Sequence, residues 1–477
     1  MNYSMIKHTL GWLLIFEAGF FAVPLITAAV FWESAFFSFL IAALISGGLG
    51  FLLTRRKPRD TSLYAKEGFV IVALSWLVMS LFGALPFLFS GVTGSFIDAF
   101  FETVSGFTTT GASIFTEVEW LPKSVIMWRS FTHWIGGMGV LVFIMAFLPL
   151  SGGQNMHIMR AESPGPEVSK LVPRVKNTAV ILYILYFVMT FIMFISLLFA
   201  EMNVFEALNT AFATAGTGGF GFKNDSFASA SIPQQIIVTV FMLLFSINFN
   251  SYYLILKTKF KDAINSEIKA FVFIVVVAVT IITLNTMGTV DSILTALRNA
   301  AFTVASLIST TGFTTANFSA WPALSQTVLV GVMFIGACAG STGGGIKVSR
   351  IIILFKGMAR ELRTLTHPKQ IKKITIDKKP VEHEVVRSVN AYIVTFILVF
   401  AAALMLISFD NKDLVTSFTA VAATLNNIGP GLGEAYASYA AFSPFSKVVL
   451  SFTMIIGRLE LFPMLILFSP STWRKKG

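Results

Sequence analysis

Long apolar runs at residues 10–32, 35–53, 69–89, 179–200 and 270–284 leave this 477-residue chain few ways to fold. Each approaches or reaches the ~20 apolar residues that cross ~30 Å of hydrocarbon, and about ten such spans are expected by that measure. A soluble core cannot absorb them: hydrophobic residues make up 55% of the sequence and charged ones 12%, for a mean hydropathy of +0.77. The first run exceeds the roughly 7–15 residues of a signal-peptide core, carries Glu17 and leads straight into a second span, so it reads as mature structure. Cys338 is the single cysteine, which excludes an intrachain disulfide and a cysteine-rich metal site.

The formal net charge of +11 is informative through its placement. Arg55, Arg56, Lys57 and Arg59 share one loop, Arg160, Lys170, Arg174 and Lys176 the next, and Lys257, Lys259, Lys261 and Lys269 a third. The richest stretch is 347–387, with Lys369, Lys372, Lys373, Lys378 and Lys379, and the chain closes on Arg474, Lys475 and Lys476. These loops are expected on the cytoplasmic side of a membrane. Nucleic-acid binding is the rival source of such basicity, but charges dispersed between spans follow from topology alone, so no nucleic-acid partner is expected. Acidic lipid or a partner protein on that face stays open.

Between consecutive basic loops one order recurs: a long apolar span, a shorter amphiphilic segment ending in a polar stretch with glycine, then another apolar span. The polar stretches are FTTTGAS (107–113), TAGTGGFGF (214–222), ISTTGFTTANF (308–318) and LNNIGPGLG (425–433). Aligned on Gly111, Gly218, Gly312 and Gly429, the copies are spaced by 107, 94 and 117 residues, too long for solenoid units. Ser95 with Asp98, Asn203 with Glu206, Asp291, and Asp413 offer acceptors for free amides at the start of each short segment, which predicts helices too short to span. They are expected to dip into the membrane and return as extended chain, all four in one orientation.

Irregular backbone at membrane depth is tolerated only where it is buried in protein or lines a watery cavity. Four copies around one axis would supply such a cavity. Extended segments could aim carbonyl oxygens into it, glycine permitting the positive φ that keeps them on one side. Threonine adds stiffness and a hydroxyl oxygen, and helix C-terminal ends add partial negative charge. This arrangement suits a monovalent cation. Close helix packing is the other use of small residues around glycine, a weaker explanation for four matched copies than for one.

The last span of the third unit, about 324–355, is interrupted by GACAGSTGGGIKVSR (336–350). Its glycines are expected to unwind it into a loop beneath the polar segments, with Lys347 and Arg350 bringing positive charge near the axis. A phosphate loop is the rival, but Gly345 is followed by Ile346 before Lys347 and no strand precedes it. Plain packing of the glycines is a second. Arg458, in IIGRLELFP, is an intramembrane charge and so a functional candidate; snorkelling is its ordinary alternative, and Glu460, two residues on, does not share its helix face. His8, His133, His157, His367 and His383 are dispersed without metal-ligand spacing, and His133 in FTHWIGG is expected at a membrane interface with Trp134. No constellation of nucleophile, acid and base argues for an enzyme.

In this four-unit plan FTTTGAS, STTGFTTANF, NNIGPG and GSTGGGIKVSRI resemble the TrkH/TrkG subunits of bacterial potassium uptake systems, within the Trk/Ktr/HKT superfamily. The likeness covers nearly the whole chain, including two extra N-terminal spans, and implies potassium uptake across the inner membrane. It implies a filter of Thr109, Thr110 and Gly111, then Gly216, Thr217 and Gly218, then Thr310, Thr311 and Gly312, then Asn427, Ile428 and Gly429. It implies a gate at Gly340, Gly343, Gly344, Gly345 and Lys347, met by Arg458. A homodimer and a TrkA-type cytoplasmic nucleotide-binding regulatory subunit follow from the same likeness, with no cofactor in this chain and potassium as the transported ion. The expected architecture is all-α integral membrane: a hairpin (1–60) and four span, pore helix, filter and span units at 61–160, 161–262, 263–366 and 367–477. An alternating-access transporter of a small solute, or a weakly selective potassium/sodium channel, is the alternative; the four copies are unequal, so selectivity stays open.

Overall fold

The computed structural model describes residues 1–58, 60, 63–139, 175–290, 292–367 and 373–473. Among the residues raised above, Arg59, His157, Arg160, Lys170, Arg174, Asp291, Lys369, Lys372 and the basic tail Arg474, Lys475 and Lys476 lie outside these ranges.

Helices Tyr3–Phe20 and Ala22–Val30 run on as one span and turn back through Ala35–Thr54. Gly11 and Gly50 face each other in this hairpin, and a side chain on either would strike the opposite helix; small residues of this kind let membrane helices approach closely. The turn carries Glu33, whose carboxylate accepts hydrogen bonds from the Lys123 and Ser124 amides (2.6 and 3.0 Å). It thereby satisfies free N–H groups of helix Lys123–Gly137 and locks the hairpin onto the first unit.

Each unit opens with a long span: Ala65–Phe89, Val175–Phe199, Ser266–Thr286 and His383–Ile407. A short helix follows: Phe96–Phe107, Val204–Ala215, Ile293–Ile308 and Leu414–Leu425. At 1.5 Å per residue, the twelve-residue members reach only about 18 Å and cannot cross hydrocarbon. Ser95, Asn203 and Asp413 cap their helices by accepting amide hydrogen bonds. The third cap is Ser292, beside the expected Asp291, and it accepts from Leu294 N (3.2 Å). Hydrogen bonds from the Thr416 hydroxyl and amide hold the Asp413 carboxyl below the usual carboxylate range.

Six helices among the described residues are long and apolar enough to cross a membrane, or seven if one bent pair counts as a span, fewer than the ten expected. The trailing helices make up the difference: the first is described only as far as residue 139, and the other three are broken. They are Lys123–Gly137, Ile232–Phe245, Ala323–Ile335 and Pro444–Arg458. The second bends by 91° into Phe249–Leu256, the third passes through a loop at 336–347 into Val348–Thr366, and the fourth turns at Glu460 and Leu461 (φ 53° and 74°) into Phe462–Phe468. Large apolar side chains such as Phe37, Phe51, Phe187, Phe191, Phe273 and Leu398 are left facing outward on the long spans, as lipid contact requires. The fold is that of an all-α integral membrane protein with a hairpin and four similarly built units.

Candidate functional site

All four short helices end in one hydrogen-bonded turn. Thr109, Thr217, Thr310 and Asn427 take left-handed backbone (φ 55°, 54°, 61° and 55°). The next residues, Thr110, Gly218, Thr311 and Ile428, return their amides to Ser105, Ala213, Ser306 and Ala423 carbonyls at 2.8–2.9 Å. This six-to-one bond, with a shorter one from the left-handed residue, is the Schellman ending of a helix. The chain then runs into a glycine with positive φ: Gly111, Gly219, Gly312 and Gly429 (78°, 78°, 86° and 98°).

The second unit departs from the sequence alignment by one residue. Gly219, not Gly218, is the counterpart of Gly111, Gly312 and Gly429, so its matching triplet is Thr217, Gly218 and Gly219, and Gly216 ends the helix one position earlier. Consecutive glycines in TAGTGG make both registers plausible on paper; only the backbone angles separate them.

These glycines close a ring. A side chain at Gly111 would strike the Gly218 carbonyl oxygen, one at Gly219 that of Thr311, one at Gly312 that of Ile428, and one at Gly429 that of Thr110. Each unit's glycine therefore abuts the carbonyl just before the next unit's glycine, and the fourth returns to the first. Outer loops repeat the circuit through Val118 N to Asn224 Oδ1 (2.6 Å), Phe227 N to Thr314 O (2.9 Å), Gly433 N to Ser319 Oγ (2.9 Å) and Tyr439 N to Ser113 O (2.8 Å). All four positive-φ glycines line one cavity of about 330 Å³. The short helices end here with no basic residue in their last turns, so their partial negative charge is uncompensated by side chains of the helix itself.

Buried polar side chains brace the ring from behind. His133 is fully buried rather than interfacial: its Nδ1 lies 2.7 Å from Gly106 O, its Nε2 accepts from Phe220 N (3.2 Å), and its ring fills the space that a side chain at Gly218 would need. That contact assigns the Nδ1–H tautomer. Glu102 and Arg129 form a buried ion pair (2.7 Å) in which Glu102 also accepts from Ile114 N (2.8 Å) and Arg129 donates to Gly221 O (3.2 Å). The pair pins extended chain from two units. Asn427 Nδ2 donates to Thr110 Oγ1 (3.0 Å) and Met454 O (2.9 Å), tying the fourth unit to the first.

Loop 336–347 sits against the helix-side end of the ring. Gly344 N donates to Thr310 Oγ1 (2.7 Å) and Gly345 N to Asn426 O (3.1 Å), while Gly343 and Gly344 leave no room for side chains beneath Ser309 and Asn426. The second unit's bend joins it, Cys338 N donating to Ser246 O (3.0 Å) and Phe249 N to Gly340 O (3.0 Å). Lys347 returns its ammonium to Gly343 O. Arg458 donates to Thr342 O (2.9 Å) in the loop and to Gly136 O and Gly137 O (2.9 Å) at the end of the first unit's trailing helix. Glu460 pairs with Arg350, whose guanidinium also lies over the Tyr392 ring at 4.1 Å, so the Arg350 charge is neutralised against the fourth unit. No cluster of His, Cys, Asp or Glu suited to a metal occurs among the described residues.

The family model for TrkH, described as a cation transport protein, matches residues 33–475. The "Trk system potassium uptake protein TrkH" of Salmonella typhimurium is 35% identical over 486 residues, covering all of both chains. That of Halomonas elongata is 36% identical over 489 residues with the same coverage. The "Trk system potassium uptake protein TrkG" of Escherichia coli is 31% identical over 99% of this chain and 100% of its own. The crystal structure of the potassium transporter TrkH from Vibrio parahaemolyticus superposes with a TM-score of 0.90 at 32% identity, covering 99% of this chain and 100% of that one.

Proposed function

The chain belongs to the TrkH family of cation transport proteins, and on that premise we propose that it takes up potassium through the fourfold ring, across the cytoplasmic (inner) membrane. The observation that carries this reading is the circuit of glycine against carbonyl from Gly111 to Gly429, which gives four extended segments one common axis. Carbonyls stacked on such an axis replace an ion's hydration shell, and the helix ends favour a cation over an anion. The filter is then Thr109, Thr110 and Gly111; Thr217, Gly218 and Gly219; Thr310, Thr311 and Gly312; and Asn427, Ile428 and Gly429, with Gly216 just outside it. The units divide as 61–160, 161–262, 263–366 and 367–477, after the hairpin 1–60.

Loop 336–347 is the gate in this reading. Gly340, Gly343, Gly344 and Gly345 let it lie flat against the filter, Lys347 closes its end, and Arg458 latches it to the first unit. The relatives' names speak of a Trk system, which supports a multi-component assembly; a homodimer with a TrkA-type nucleotide-binding subunit on the basic-loop face is the form proposed here. Cofactors would then belong to that subunit, and this chain would hold only the passing ion.

Gly312→Asp is the direct test of the filter. The substitution puts a charged side chain against Ile428 O on a positive-φ backbone, so potassium-dependent growth of an uptake-deficient host is expected to be abolished. Growth at the wild-type rate would remove Gly312 from the path. The reversal potential of the purified protein in liposomes, under opposed potassium and sodium gradients, then measures how far the unequal fourth segment relaxes selectivity.

A further inference from the structure

Glu267 stands in the first turn of span Ser266–Thr286, outside the filter and outside the residues proposed for the gate. One of its oxygens, Oε1, accepts from Ala339 N (2.8 Å) and from Ser349 N (3.0 Å). Ala339 lies in loop 336–347 and Ser349 in the first turn of helix Val348–Thr366, where amides have no helical acceptor. A single carboxylate, only 9% exposed, thus fastens the loop's body and its far end to a third element. Charge-assisted bonds of this kind are the stronger ones.

The residue before Glu267 is held from outside the membrane-spanning core. Strands Thr375–Ile376 and Lys379–Pro380 pair antiparallel around a two-residue turn, Asp377 and Lys378, both at positive φ (46° and 65°). The exposed Asp377 turns its Oδ1 onto Ser266 N (2.9 Å) and Ser266 Oγ (2.5 Å). The same hairpin grips the helix beyond the loop, since Thr375 O accepts from Lys356 Nζ (2.7 Å) and Ile374 packs with Ile353. Contacts therefore run from an exposed hairpin to Ser266, and from its chain neighbour Glu267 to the body of the loop and to the helix that follows it.

We propose that Glu267 is the positioning residue that clamps the gate loop shut, and that hairpin 375–380 is the handle through which a load on the basic-loop face loosens it. The proposal rests on the gate reading of loop 336–347. Pulling the hairpin shifts Ser266; Glu267 moves with it and cannot keep both amides in reach. The loop then keeps the Arg458 and filter-side bonds and those to the second unit's bend at Ser246 and Phe249, but loses its fastening to the span.

Cation flux through the purified full-length chain in liposomes tests this, with a Gly343–Gly345 deletion as the reference. The deletion and Glu267→Ala are both expected to raise flux, the latter by at least about tenfold, since two charge-assisted bonds are lost. Glu267→Gln keeps an acceptor oxygen but not the charge, so its flux is expected to fall between wild type and Glu267→Ala, a partial rescue that a space-filling role would not predict. The potassium-to-sodium ratio should not move, because the filter is untouched. If the deletion raises flux and Glu267→Ala does not, the clamp is overturned while the gate stands; if neither raises it, the gate reading itself falls. Should Glu267→Ala not reach the membrane, Asp377→Ala leaves the buried clamp residue in place. Faster amide exchange across 336–349 in that variant is the expected result, and exchange equal to wild type would overturn the linkage from hairpin to loop.

Discussion

At Thr109, Thr217 and Thr310 a β-branched residue occupies left-handed backbone, a conformation that glycine or asparagine takes far more cheaply. Strain of this kind costs about 1–3 kcal/mol per residue and persists only where the surroundings enforce it. The enforcing groups are visible. Each threonine is fully buried at a Schellman turn, Thr310 Oγ1 takes the Gly344 amide, and the following residue is backed by another side chain. His133 is the clearest of these supports, because it satisfies Gly106 O and Phe220 N at once while its ring fills the void behind Gly218. His133→Phe keeps the volume but strands both backbone groups. It should destabilise the protein by about 2–4 kcal/mol, given the cost of leaving buried partners unpaired. Thermal melting in detergent checks this, and a variant melting with wild type would reduce the imidazole to a filler.

Among elements, the trailing helices depart most from what an apolar run promises. The sequence marks a break only where glycines cluster, in the third unit, and the structure breaks there as expected. The second unit bends at Ser246–Asn248 with no glycine at all, and the fourth at Glu460 and Leu461, where two non-glycine residues adopt positive φ. Such turns are dictated by neighbours: Ser246 O accepts from Cys338 N in the third unit's loop, and Glu460 is drawn to Arg350. Local pattern carries no trace of a partner in another unit. The short helices and the glycine turns were legible for the opposite reason, since caps, glycines and threonines act within a few residues of their own position. Their register in TAGTGG was not, because adjacent glycines are interchangeable until a facing carbonyl selects one. The Glu102–Arg129 pair shows the same limit, with partners 27 residues apart on two helices. Arg129→Met alone should cost about 3–5 kcal/mol, because it leaves the Glu102 charge buried without its cation. Glu102→Gln with Arg129→Met should recover a large part of that loss. A double variant as unstable as the single one, in the same melting assay, would show that the arginine acts through packing against Phe220 and not through charge.

For the molecule as a whole, closure of the proposed gate would depend on one fork. Arg458 belongs to the fourth unit, reaches Thr342 O in the third unit's loop, and reaches Gly136 O and Gly137 O where the first unit's trailing helix stops. Three units meet at this guanidinium on the side of the ring where the loop lies. The second joins through Phe249 N and Gly340 O. A planar group with five fixed donors can serve carbonyls on separate elements together, whereas an ammonium on a flexible stem can be aimed at them but not hold their geometry. Charge alone and geometry therefore predict different outcomes for Arg458→Lys. If positive charge in the path were the barrier, lysine would keep flux low; if the fork latches the loop, lysine should behave like Arg458→Ala and raise flux through liposome-reconstituted protein by at least about tenfold, the loss of one or more hydrogen bonds to a charged group. Equal flux for Arg458→Lys and wild type, with Arg458→Ala elevated, would move the barrier from the latch to electrostatics along the axis.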